Sequence, residues 1–306
     1  MGPAEGQRAL IVLAAGRARR YGGCKPLAPV GPGGEAVIDL VASDALAAGF
    51  DSIVLVIGPH TGPAIRYHVE RTWPSAVDVR FEVQDRPLGT VDAVLAGTRG
   101  IPADRAIGVA NADDLYGPEA MVALASHLAT GRTAESLVGF RLRNAVLGDG
   151  PVTRGVCEVD EQGYLVAIAE RRGVHATGDG RYLADDGREP TELDGDALVS
   201  MNLWGFGPAM REVLRHAMAA AGDVGEEAEV LLPDVVARQL SGSRTDTVDG
   251  PGRLAFEVLP AAGRCIGVTH PDDLAVVQEQ LARAVGRGER DAAPWMSVER
   301  GGTALP

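Results

Sequence analysis

Two groups of residues in this chain of 306 could do chemistry together. The first is Arg17, Arg19, Arg20 and Lys25, which share a loop with Gly22 and Gly23 that opens on Ala14-Ala15-Gly16. Small residues let a ligand approach the backbone closely. Turn amides make a concave anion site and the cations neutralise charge, so the chemistry is phosphate binding. The second group is Asp113-Asp114, which ends an apolar run. Capping of a helix near Pro118 would account for one of these carboxylates. Two of them at a strand end, opposite a basic loop, are better explained by Mg2+, which prefers oxygen ligands shared with substrate phosphates.

Taken alone, the Gly-rich string is more often a turn with solvated basic side chains. Its place after a buried strand, and the clustering of bases in an acidic chain, favour phosphate. It is neither a P-loop, since no G-K-[ST] follows a four-residue spacer, nor the dinucleotide fingerprint, whose third glycine is missing. Cys24, Cys157 and Cys265 are far apart and odd in number, so no disulfide framework or zinc site is indicated. The six histidines show no ligand spacing, and no GxSxG is present. Chemistry on a bound phosphate needs neither, since it rests on positioning and neutralised charge.

The elements that must position these residues follow from periodicity. Ala9–Ala14 is a buried strand, and Val37–Ala48 a helix with Gly49 at its end. Strands at Ile53–Ile57, Val77–Val83 and Ala106–Ala110 alternate with helices at 62–71, 91–98 and 118–130. This β-α alternation predicts a doubly wound, mostly parallel sheet with ligands at the carboxyl ends of its strands, where loops 14–26, 84–90 and 111–117 all lie. The second half is less regular. It has strands at 136–142, 155–159, 165–170 and 198–206, with a Gly- and Asp-rich excursion over 173–196. Helices follow at 208–221 and 228–239, the latter kinked or shortened by Pro233. Short strands at 253–259 and 264–268, a closing helix over 271–285 and a frayed tail over 286–306 complete the chain.

The net charge of −13 argues against nonspecific nucleic-acid or anionic-membrane binding. The local bases then point at a small anionic ligand. The first apolar run is too short for a signal peptide or a membrane span, and a cytoplasmic protein is expected.

The stretch Leu10–Leu27 resembles the signature of the sugar-1-phosphate nucleotidyltransferases, also called NDP-sugar pyrophosphorylases: L-A-A-G-x-G-x-R, a spacer, then P-K-P. Here Ala18 replaces the second Gly and Cys24 the Pro before Lys25. The resemblance implies a Rossmann-like, GT-A-type fold in one domain over 8–285. Its nucleotide-binding half would be about 8–132, and its smaller, irregular, β-rich sugar-binding half about 133–285. It implies Arg20, Lys25 and Asp113 as catalytic, Asp113 as the Mg2+ ligand, and Asp114 beside it. The nucleotide would lie on Leu13, Ala14, Ala15, Gly16 and Asn111. Gln84 with Leu88-Gly89-Thr90 matches Q-x-x-x-L-G-T-A, whose Gln and loop backbone read the base; Val91 stands for Ala. On the sugar side, Gly155 matches Y-G-V-V-E-x-D, Glu170-Arg171 matches E-K, and Asn202 matches a sugar-contacting Asn. Arg171 for Lys would keep the charge and add a bidentate phosphate grip.

The clearest departure is V-D-T-P-x-D-L, which here reads Val268-Thr269-His270-Pro271-Asp272-Asp273-Leu274 and puts Thr269 where related enzymes have a second metal ligand. The partners implied are an NTP and a sugar 1-phosphate, with a homodimer as a family-level expectation. Two alternatives stay open: a cytidylyltransferase for a non-sugar phosphate or phosphonate such as phosphocholine, and a nucleotide-binding module without turnover.

Overall fold

The computed structural model describes residues 8–16, 23–132, 134–146, 150–222, 229–241, 253–267, 273–291 and 293–299. The expected doubly wound α/β fold is present. In the first half, β1 (Ala9–Ala14), β2 (Ser52–Ile57), β3 (Val79–Val83) and β4 (Ile107–Asn111) are parallel, in the order β3-β2-β1-β4. The inner strands β1, β2 and β4 are covered on both faces, which explains their largely apolar sequences, whereas the edge strand β3 alternates apolar residues with Arg80 and Glu82. Leu10, Val12, Ile53 and Leu55 enter the core on one face; Ile11, Val54 and Val56 enter the other. Each large aliphatic side chain buried in this way contributes about 1.5–3 kcal/mol.

The helices divide accordingly. On the first face lie α1 (Val37–Ala47), α2 (Gly62–Thr72) and α4 (Pro118–Ala129), and on the second α3 (Thr90–Gly97). Asp39 ties the first pair together. Its carboxylate accepts from the Ala36 amide (2.8 Å), from Trp73 Nε1 (2.7 Å) and bonds His68 Nε2 (2.8 Å).

After the short strand β5 (Asp114–Leu115), the chain forms β6 (Glu135–Arg141), α5 (Leu142–Ala145), and the hairpin β7 (Val152–Val159) with β8 (Leu165–Ala176). The hairpin turns at Asp160–Gly163 as expected, the Asp160 amide donating to the Tyr164 carbonyl (2.9 Å). The excursion over 173–196 is more ordered than its composition suggested. It holds β9 (Tyr182–Leu183) and β10 (Glu192–Leu193), which extend the sheet antiparallel from the far end of β8.

β11 (Leu198–Phe206) joins the two halves. Its last residues pair antiparallel with β4 (Trp204 with Val109, Phe206 with Ile107), while Val199 and Ser200 pair with β7. Its other edge pairs with β6, with a register shift between Ser200 and Trp204. β12 (Phe256–Ala261) runs parallel to β6, and β13 (Ile266–Gly267) pairs with β5.

The helices α6 (Pro208–Ala221) and α7 (Leu232–Ser241) pack on the face that carries α3. Instead of kinking α7, Pro233 sits in its first turn, where a missing N–H costs nothing, and the helix starts four residues later than expected. The closing helix α8 (Asp273–Gly286) packs on the α1 face. Of the tail expected to fray, the described residues 287–291 and 293–299 are docked. Arg290 pairs with Asp44, Trp295 packs against Trp73 with ring centroids 4.9 Å apart and planes tilted by 54°, and α9 (Met296–Glu299) follows. Residues 300–306 lie outside the described residues. Among the described residues, no helix is long and apolar enough to cross a membrane.

Candidate functional site

Parallel pairing brings the carboxyl ends of β1, β2 and β4 to one edge. Leu13 faces Asn111 across the β1–β4 ladder, and the next amide, of Ala112, donates to the Leu13 carbonyl (3.2 Å). Thr61 fixes the exit of β1: its hydroxyl donates to the Ala14 carbonyl (2.8 Å) and accepts from the Gly58 amide (3.1 Å). Ala15 is half-buried and Gly16 exposed, with open space around its Cα. Residues 17–22, and Arg20 with them, lie outside the described residues. The chain resumes at Gly23, and Lys25 opens a 3-10 turn, Lys25–Leu27, with Pro26 buried under it.

That turn aims Lys25 at the end of β4. Its Nζ lies 3.2 Å from Asp113 Oδ2, and both side chains are partly accessible, 18% and 36%. The first loop and the strand-end carboxylate, 88 residues apart in sequence, are therefore one site. Lys25 is also the only lysine in a chain with 29 lysines and arginines.

The two aspartates differ in surroundings. Asp114 Oδ2 accepts from Asn111 Nδ2 (2.9 Å), and Asp114 pairs with Gly267 of β13, close enough that a Cβ on Gly267 would stand 2.8 Å from Asp114 Oδ1. Burial, and then the charge of Asp113, pushes the Asp114 carboxyl upward. Arg154 supplies a buried positive charge facing Asp114; its Nε donates to the Ala145 carbonyl (3.0 Å) and its Nη1 to that of Thr153 (2.8 Å). Asp113 therefore faces the opening and Asp114 the protein. Asp113 offers a partly accessible carboxylate oxygen of the type Mg2+ takes, an ion that uses few protein ligands and fills its shell with phosphate oxygens and water. Among the described residues no cluster of three or more His, Cys, Asp or Glu side chains forms. Val268 to Asp272, including Thr269, lie outside the described residues; β13, which leads into them, is the strand paired with Asp114.

The loop after β3 holds the expected base-reading residues, and its side chains are already engaged. Gln84 is buried, and its Nε2 donates to the Gly89 carbonyl (2.9 Å) and to Asp92 Oδ2 (3.0 Å). The Thr90 hydroxyl accepts from the Leu232 amide (2.7 Å). Val230 brackets the loop, its amide donating to the Leu88 carbonyl (2.8 Å) and its carbonyl accepting from the Val91 amide (3.1 Å). Gly89 is required here twice over. Its φ is +99°, and a Cβ would lie 2.6 Å from Val230 N and 2.8 Å from Val230 C. Val230 and Leu232 were invisible to motif reading, because main-chain partners 140 residues away leave no side-chain signature.

On the other side of the site, Gly155 pairs with Ser200 on β11 and with Glu170 on β8, so Gly155 and Glu170 are neighbours. Asn202 sits in the gap where β11 leaves β7 for β4, in a left-handed conformation (φ +58°) that asparagine tolerates better than most residues. Its Oδ1 lies 3.4 Å from Trp204 Nε1. Tyr116 spans the gap: its hydroxyl accepts from the Asn111 amide (2.9 Å) and donates to the Met201 carbonyl (3.0 Å). Tyr116 thus links Asn111 at the end of β4 to Met201, the neighbour of Asn202 on β11. Arg171 is placed differently from the expectation. Its guanidinium is buried, bidentate on Asp186 (2.7 and 3.0 Å), and also donates to the carbonyls of Arg188 (2.8 Å) and Pro190 (3.0 Å). Glu170 is exposed, with its Oε1 3.0 Å from Arg172 Nε. A cavity of about 570 Å3 is lined by Leu115 and Ile266 of the β5–β13 ribbon with Tyr116 and Arg264 among others, and none of the expected site residues lines it.

Compared with known families, residues 10–144 match the model of the MobA-like NTP transferase domain, which supports a nucleotidyltransferase family. The match takes in Lys25, Gln84, Gly89, Asn111 and Asp113 but ends before Gly155, Glu170, Arg171 and Asn202. No curated protein matches the chain.

Proposed function

We propose that this protein transfers a nucleotidyl group from an NTP to a sugar 1-phosphate, releasing pyrophosphate. The observation that carries the reading is the contact between Lys25 and Asp113, which joins the first loop to the strand-end carboxylate. In this reading a phosphate oxygen of the acceptor attacks the α-phosphorus in line. The new P–O bond forms as the bond from that phosphorus to the bridging oxygen breaks, and the electron pair leaves with pyrophosphate. Lys25 neutralises charge on the α-phosphate and the incoming phosphate, and Arg20 holds the β- and γ-phosphates. Asp113 would hold Mg2+, whose contribution is to polarise the α-phosphate. The main chain at Leu13, Ala14, Ala15, Gly16 and Asn111 carries the nucleotide, and the loop of Gln84, Gly89 and Thr90 its base. Gly155, Glu170 and Asn202 face the acceptor.

One observation favours a second reading. The Arg171 guanidinium is spent on Asp186 and two carbonyls, which removes one cation from the sugar-phosphate side. The sugar-side pattern is thereby incomplete, which leaves room for a cytidylyltransferase acting on a non-sugar phosphate or phosphonate.

The test is pyrophosphate release with Mg2+, crossing the five common NTPs with a panel of sugar 1-phosphates, phosphocholine and aminoethylphosphonate. Asp113→Asn and Lys25→Ala should each lose on the order of 10²-fold or more in rate while remaining folded, as removal of one transition-state charge partner does. Near-normal turnover in both variants would refute the mechanism. Release with phosphocholine or the phosphonate alone would select the second reading.

A further inference from the structure

The segment Glu229–Leu232 touches neither Lys25 nor Asp113 in any described hydrogen bond, yet it is the most extensive partner of the base loop. Val230 donates to the Leu88 carbonyl (2.8 Å) and accepts from the Val91 amide (3.1 Å), and the Leu232 amide donates to the Thr90 hydroxyl (2.7 Å). Gly89 fits against the Val230 main chain with no room for a Cβ. From the other side, Gln84 fixes the Gly89 carbonyl. The loop is thus pinned on both flanks while Asp85, Arg86 and Pro87 remain exposed.

The pin has a firm footing. Leu232, Val235, Val236 and Leu240 of α7 are buried in the same core as Val91 and Val94 of α3. Helix α7 also packs against β8, the strand that carries Glu170. A loop held in one conformation before its ligand arrives avoids the ordering cost at binding.

We propose that Glu229–Leu232 is a clamp that positions the base loop, and that Thr90 is a positioning residue whose hydroxyl serves the clamp instead of the base. The loop backbone is then what meets the nucleobase. The clamp also joins nucleotide recognition to the strand on the acceptor side. The role of the loop rests on the nucleotidyltransferase reading; the clamp itself does not.

Two variants of the full chain test this: Thr90→Val, which keeps the β-branched shape and removes the acceptor, and Thr90→Ser, which keeps the hydroxyl. Amide hydrogen exchange is measured without nucleotide, and NTP dissociation constants by titration. Thr90→Val should lose protection at the Leu232, Val230 and Val91 amides. It should also weaken binding of the preferred NTP by about tenfold, equivalent to about 1.4 kcal/mol and within what one hydrogen bond contributes. Thr90→Ser should restore both protection and affinity. Unchanged exchange in nucleotide-free Thr90→Val would overturn the proposal, as would Thr90→Ser behaving like Thr90→Val. If the wild-type protein binds no NTP, the nucleotidyltransferase reading fails, and the exchange measurement alone decides the clamp.

Discussion

Glu135 offers a test in which the size and sign of the effect both follow from the structure. It is the first residue of β6 and is 1% exposed. Its Oε2 accepts from the Gly207 amide (2.6 Å) where α6 begins, while its Oε1 finds no partner among the described residues. Burial raises its pKa from 4.5 to about 7, against hydrogen bonds from Gly207 and Met210 that favour the charge. The folded protein therefore holds this proton more tightly than the unfolded chain does. The resulting destabilisation is absent well below pH 4.5, grows as pH rises from 4.5 to 7, and is complete above 7. With those two values it is about 1 kcal/mol at pH 5 and about 3 kcal/mol at pH 8. Glu135→Gln keeps the shape and an acceptor for Gly207 but never ionises. The variant should accordingly gain about 2 kcal/mol relative to wild type between pH 5 and pH 8. Urea unfolding of both proteins at the two pH values measures this, and the double difference cancels every other titrating group. A double difference within about 0.5 kcal/mol of zero, or of opposite sign, would refute the reasoning.

Arg171→Leu should lower the unfolding midpoint, because it strands Asp186 without its partner, while the KM for the phosphate acceptor stays near wild type; a KM rise with unchanged stability would return Arg171 to the phosphate. Lys25 is open to a chemical test, since an amine-selective acylating reagent can reach no other lysine. Acylation at Lys25, followed by peptide mass spectrometry, should abolish pyrophosphate release and should be suppressed by a saturating NTP with Mg2+; equal labelling with and without nucleotide would remove Lys25 from the phosphate site.

What the sequence disclosed about this molecule was local, and what it concealed was tertiary. The unbroken apolar runs of β1, β2 and β4 could only be strands covered on both faces, and Asp113-Asp114 at the end of one of them fell where α/β sheets hold ligands. Arg171 illustrates the limit. An arginine after a glutamate reads the same whether it meets a phosphate or Asp186, and only the hairpin that folds back over β8 decides. Pro233 read as a break because the helix start was placed too early. The tail past residue 286 has no periodicity, yet Trp295 finds Trp73 and Arg290 finds Asp44. Such contacts are set by surface left open on α1, which a pattern along the chain cannot show. Gln84 is occupied by neighbours in its own loop and the helix after it, Gly89 and Asp92, whereas the partner of the Thr90 hydroxyl, the Leu232 amide, comes from a distant part of the chain.

The way β11 is shared has a practical consequence for dissecting the protein. β4 receives its outer neighbour from residues 204–206, some sixty positions beyond the end of the family match at 144. A fragment cut at that boundary would keep Lys25 and Asp113 but expose the β4 edge from Ile107 to Val109, a row of apolar side chains with unpaired amides and carbonyls. Edges of that kind recruit other chains. Such a fragment is expected to be lost to inclusion bodies, and a soluble minimal nucleotide-binding piece would have to carry β11 with it, by circular permutation or by supplying residues 198–206 as a separate peptide strand.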